Sequence, residues 1–174
     1  MNFHGQSTHS MTTNVPPMPA SNDKDKNYLS RFLDSNFEGF IHHPGDFPLQ
    51  WRKLSEKKIR DKLLNSPDGQ IGLCFTSEKY IKPGTYLELN IELRGEEQKF
   101  IGQVVLVKNL GDKFETGVWF TSRAIGSRVR IVEQICHIES YLRHKRHYEG
   151  PFMSQERVAQ EWVSRFAAYF PSFS

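Results

Sequence analysis

Between Gly84 and Phe120 three apolar, β-rich segments follow one another with turn signals between them, and a long helical pattern comes next. Short polar connections of this kind join neighbouring antiparallel strands, so the stretch predicts a β-meander leading into a helix. In such a layout loops, more than a catalytic cleft, carry function. Thr85–Leu93 alternates strictly, with Leu87, Leu89, Ile91 and Leu93 on one face and Glu88, Asn90 and Glu92 on the other, the pattern of a half-buried strand. Arg94–Glu97 supplies a polar turn. Phe100–Val107 returns with apolar residues on both faces and is expected in the middle of the sheet. After Asn109–Asp112, Phe114–Phe120 closes the meander, with Phe114, Val118 and Phe120 on one face.

Upstream, Leu49–Leu54 alternates as a first strand and Ile71–Phe75 reads as another, while the charges of Lys58–Leu64 suit an exposed helix turn or, the preferred reading, an edge strand whose lysines discourage pairing with a second sheet. Ser66-Pro67-Asp68-Gly69 is a turn, with proline at the first central position and glycine last. Phe40–Pro48 reads as a loop, because Pro44, Gly45 and Pro48 interrupt any regular element. Tyr28, Leu29, Phe32, Leu33, Phe37 and Phe40 suggest one or two helical turns docking on the domain. Residues 1–27 are rich in Ser, Thr, Asn, Pro and Met without apolar period, which predicts a disordered tail.

Downstream, Ile125, Val129, Val132 and Cys136 recur at helical spacing on a stripe expected to pack on the sheet, and Ile131, Ile135, Ile138 and Leu142 form the adjacent stripe. Arg143–His147 place cations at the negative end of that helix, and Gly150-Pro151 stop it. Ser154 caps a last helix carrying Val158, Trp162, Phe166 and Tyr169, which Pro171 ends. Trp162, Phe166 and Phe170 are expected to present a partner-binding surface, since Phe170 and Phe173 lie beyond what one packed stripe uses. The expected organisation is a tail over residues 1–27, a β domain with its opening segment over 28–122 and a helical extension over 123–174.

The 174 residues suffice for one domain with appendages, and the net charge of +3 is too small to favour a nucleic-acid binder. The two cysteines, Cys74 and Cys136, follow no secretory leader pattern and predict reduced, buried thiols in a cytoplasmic protein. No apolar run is long enough to span a membrane. The chain carries no P-loop, GxSxG, HExxH or paired CxxC, so no catalytic residue, cofactor or enzyme activity is expected. His42 and His43 beside Asp46 do not make a metal site on an extended loop, where adjacent side chains point apart. Cys136, His137, His144 and His147 offer a nominal N/S donor set, but the last two sit in a basic helix end that reads as a solvated cap.

The segments Pro83–Leu89, Gly102–Val105 and Glu115–Phe120, with Ile71-Gly72-Leu73 before them, resemble a PilZ domain. Phe40–Pro48 resembles the segment that opens that domain, and Val132–Glu139 with Gln160–Ala167 resembles the helical extension of one PilZ subgroup of Gram-negative bacteria. The resemblance covers about residues 38–171. It implies a six-stranded antiparallel β-barrel with two C-terminal helices, and a family ligand, cyclic di-GMP. In the family two motifs bind that ligand. RxxxR forks guanidinium groups onto phosphates and guanine. [D/N]xSxxG sets short polar side chains and a close-approach glycine against the base.

Aligned on the family pattern, Glu38 and His42 stand where the two arginines belong, and only Gly72 remains of the second motif, with Asp68 among its upstream positions. The degenerate ligand site is therefore Glu38, His42, Asp68 and Gly72. It implies weak or absent cyclic di-GMP binding and a role exercised through a protein partner. Two alternatives stay open: a working receptor using substitute cations such as Arg31, Arg52 or Lys53, and a nucleic-acid-binding β-barrel.

Overall fold

A computed structural model describes residues 39–55, 59, 71–120 and 122–171. The expected tail, the docking segment at Tyr28–Phe37, the Ser66–Gly69 turn, Glu38, Asp68, Arg31 and Phe173 lie outside the described residues. So does Lys58–Leu64 apart from Ile59, which is buried and helical, against the strand reading at that residue.

Six strands form one mixed sheet: β1 (Phe40–His42), β2 (Leu49–Lys53), β3 (Gly72–Ser77), β4 (Tyr86–Leu93), β5 (Glu96–Asn109) and β6 (Phe114–Phe120). Two helices follow, α1 (Arg123–Glu149) and α2 (Gln155–Phe166), and a 3₁₀ turn at Ala167–Tyr169. The mostly β architecture with a helical extension matches the sequence reading. The expected all-antiparallel, closed barrel does not: the hydrogen-bonded order is β1-β3-β6-β5-β4-β2, with β1 and β2 at its two ends, and β1 runs parallel to β3. The loop predicted over Phe40–Pro48 thus begins with a strand. Parallel pairing is open to β1 because a long connection separates it from β3, and Pro44 ends it after three residues.

The meander forms as its alternation dictates. Leu87, Leu89, Ile91 and Leu93 of β4 are all buried. β5 lies between β4 and β6, but only one of its faces is closed: Phe100 and Val104 are buried, while Leu106 is 41% exposed. A bulge between Val104 and Leu106 shifts the register and turns the apolar run outward.

Ser122 caps α1, its hydroxyl accepting from the amide of Ile125 at 3.2 Å. Val129, Val132 and Cys136 on the predicted stripe are buried, whereas Ile131 on the adjacent stripe is 57% exposed. Ser154 likewise caps α2. Trp162, Phe166 and Phe170, expected to form an exposed partner surface, are instead core residues, with Trp162 and Phe166 fully buried and Phe170 nearly so. The chain folds back after α2, stacking Phe170 edge-on against both His137 and Trp162. Arg130 fixes the return by donating to the Pro171 carbonyl at 2.9 Å. Between the helices, Glu161 accepts from the Tyr141 hydroxyl at 2.8 Å and pairs with Lys145 and Arg165 at 3.1 and 3.0 Å.

Candidate functional site

The polar residues that the fold gathers lie where β1 and the turn after it meet α1. Phe40-Ile41-His42 form the edge strand, and His43-Pro44-Gly45-Asp46-Phe47 turn away from the sheet. Glu133, His137 and Ser140, four and three residues apart, occupy one face of α1 and each reaches that segment. His137 Nε2 donates to the His42 carbonyl at 2.6 Å, Ser140 donates to Asp46 Oδ1 at 2.7 Å, and Glu133 Oε1 accepts from His43 Nδ1 at 2.8 Å. Arg143 donates to the Asp46 carbonyl at 3.2 Å and lies over the Phe47 ring.

His43 bonds through both ring nitrogens: Nε2 donates to the Phe47 carbonyl at 2.9 Å, and Nδ1 meets the Glu133 carboxylate, an arrangement that favours the charged ring. Burial alone would lower its pKa. The charge of Glu133, its hydrogen bond, the Phe47 carbonyl and the charge of Asp46 outweigh that and raise it. Glu133 is fully buried, and its Oε2 has no hydrogen-bond partner among the described residues. A buried ion pair of this kind gives back in attraction much of what it loses in hydration, and breaking it strands a charge. His137 behaves oppositely: burial, with the nearby imidazoles of His43 and His42, depresses its pKa to about 3 despite the His42 carbonyl, so it stays neutral.

Of the predicted ligand residues, the structure describes His42 and Gly72, and both belong to the β1–β3 pair. His42 lies opposite Cys74, and its Nε2 sits 3.3 Å from Glu115 Oε1. Gly72 lies opposite Phe40, whose ring covers it so closely that a Cβ at this position would lie inside the ring. That ring is stacked in turn on Trp119, with centroids 6.2 Å apart. Glu38 and Asp68 are outside the described residues. Of the substitute cations, Arg52 and Lys53 sit on β2 at the other end of the sheet order, and Arg52 pairs with Glu88 at 2.8 Å.

The nominal metal set on α1 is not assembled. His137 points to β1, while His144 stacks between Tyr141 and Tyr148. Sequence reasoning missed Glu133 and Glu115. The available signal was Glu133 flanked by two stripe positions, Val132 and Cys136, within reach of His137 one turn on.

Chemically, the segment is a helix-to-strand clasp rich in carboxylates, with an aromatic lid on Gly72 and, among the described residues, no pair of arginines presented there. Among the described residues no helix is long and apolar enough to cross a membrane. Compared with family models, curated proteins and solved structures, the chain matches none of them.

Proposed function

We propose that this chain is a non-catalytic regulatory or adaptor protein of PilZ type. It acts in cytoplasmic bacterial signalling linked to cyclic di-GMP, and its own ligand site is degenerate. The observation that carries the reading is the state of the β1–β3 pair. Where the resemblance puts a phosphate-binding arginine stands His42, faced by the Glu115 carboxylate. Where it puts the close approach to a guanine, the Phe40 ring already lies on Gly72. A carboxylate repels a phosphodiester, and a stacked ring must be displaced before a base can enter. Both work against the family ligand. The six strands and the helical extension are compatible with a PilZ domain, although the sheet is mixed and ends at β1 and β2.

The output is contact with a protein partner in the processes such families serve, namely motility, pili, biofilm formation or virulence. With Trp162 and Phe166 of α2 buried, the exposed apolar side chains of the helical extension among the described residues include Ile131, Tyr148, Phe152 and Val163, of which Phe152 is 98% exposed.

Isothermal titration with cyclic di-GMP at fixed salt tests the reading. Each hydrogen bond to a charged group is worth about 1.5–3 kcal/mol. Loss of two arginine contacts therefore leaves the wild type binding no tighter than roughly 100 µM. The double change Glu38→Arg, His42→Arg is expected to recover part of the affinity. Low-micromolar binding by the wild type overturns the degenerate-site reading.

A further inference from the structure

We propose that His42, Cys74 and Glu115 form a zinc(II) site on the face of β1, β3 and β6 opposite Leu73 and Val118. The strand register places the three together before any side chain is considered. His42 is opposite Cys74, and Cys74 is opposite Gly117. Directly opposed residues share a face, and so do residues two apart along a strand. Glu115 therefore joins Cys74 and His42 on the same side of the sheet.

The side chains complete what the register begins. The three donor atoms all lie within 4.8 Å of one another. His42 Nε2 and Glu115 Oε1 are 3.3 Å apart, and two ligands held tetrahedrally at about 2.0–2.1 Å from a zinc ion stand about 3.3 Å apart. The Cys74 sulfur is the third corner of the triangle. Its thiol donates a long hydrogen bond, 3.5 Å, to the Ile41 carbonyl.

One imidazole nitrogen, one thiolate and one carboxylate oxygen make a mixed donor set that suits zinc and suits neither magnesium nor calcium, which take oxygen ligands. On binding, the Cys74 S–H bond breaks and its proton leaves to solvent. The sulfur lone pair then forms the bond to the ion, which sheds water to accept the three donors and keeps one in its fourth position. The ion's two positive charges are balanced by the thiolate and the carboxylate.

The surroundings permit this. The His42 and Glu115 side chains are 19% and 12% exposed, so an ion can reach them, while Cys74 is sealed beneath. The hydrogen bond from His137 to the His42 carbonyl fixes the backbone that carries one ligand. A bound ion would cross-link three adjacent strands and anchor the short edge strand. The inference is independent of the signalling reading, and either can fail alone.

The test uses the full chain stripped with a chelator. Zinc chloride is titrated in competition with a chromogenic chelator, and cobalt(II) chloride is followed by absorption. The expected result is one tight equivalent, a raised melting temperature with zinc, and a thiolate-to-cobalt charge-transfer band with the intense visible spectrum of a four-coordinate ion. Removing an outer-shell partner of a metal ligand weakens binding about 10–100-fold, so Cys74→Ser and Glu115→Gln should each weaken it at least that much. Cys74→Ser should also abolish the charge-transfer band, and Cys136→Ser should leave it intact. Because Cys74 is buried, His42→Gln serves as the second variant. It should stay folded by circular dichroism and lose the tight equivalent. No tight equivalent in the wild type, or tight binding unchanged in His42→Gln, overturns the proposal. So does a band that survives Cys74→Ser.

Discussion

The Nε2 of His137 lies 2.6 Å from the carbonyl oxygen of His42, and this hydrogen bond joins the middle of the long helix to the edge strand of the sheet. The contact asks for a proton on Nε2 and by itself favours the charged ring, but burial prevails and keeps the ring neutral, with its pKa near 3. His137→Phe keeps the ring volume and removes the donor, leaving a carbonyl in a closed site. It is expected to lower stability by about 1–3 kcal/mol in urea unfolding. An unchanged midpoint would mean that β1 does not depend on the clasp.

Phe170 decides whether the last turn is core or surface. Its ring is 5.0 Å from that of His137 and 5.4 Å from that of Trp162, and the residue is 5% exposed. Phe170→Ser removes a buried aromatic ring and is expected to destabilise the protein by about 3–5 kcal/mol. A loss within about 1 kcal/mol would restore Phe170 to the surface.

At Gly72 the constraint is the Phe40 ring. Gly72→Ala forces that ring aside and should lower stability by about 1–3 kcal/mol. Combined with Phe40→Leu, most of the loss should disappear, because the two residues share one space. Strict additivity in a double-mutant cycle would contradict the contact.

Acid stability should separate Glu161 from the rest of the chain. Burial would raise its carboxyl pKa, but hydrogen bonds from Tyr141, Lys145 and Arg165 prevail and hold it below the ordinary 4.5. A depressed carboxyl stabilises the fold above the unfolded-state value and ceases to as pH falls through the folded one. Glu161→Gln should therefore be less stable than the parent by about 1–3 kcal/mol at pH 7, with the gap narrowing below about pH 4.5. His137, neutral when folded and ordinarily titrating at 6.5, weakens both proteins from below about pH 6.5. The difference between their thermal melts across pH isolates Glu161, and a constant gap would show that its charge plays no part.

The meander was legible because its information is local: the alternation of Leu87, Leu89, Ile91 and Leu93 states both the strand and its inner face. The start of α2 was legible for the same reason, in Ser154, whereas the Ser122 cap of α1 emerged only from the structure. β1 was not legible. It has three residues and a proline two positions on, and its partner strand begins at Gly72, so no nearby pattern announces it. The aromatic spacing of Trp162 and Phe166 gave the helix but not what covers it. The cover is α1 together with the returning Phe170, a tertiary choice that periodicity does not encode. At the candidate site, His42 and Gly72 were found through the family pattern, while Glu115 and Glu133 became visible only once strands and helix were paired.

The clasp also orders events in time. β1 is held by Glu133, His137 and Ser140, some 90 residues further along the chain. Contacts so distant in sequence form late, after the local meander and the helix they depend on. During synthesis the segment around His42 is made early, yet it gains its helix partners only after α1 has emerged. Until then Ile41 and Phe47 lack their final cover. The first strand of the sheet is thus expected to be among the last to settle, and the interval before α1 docks is when this protein is most open to misassociation.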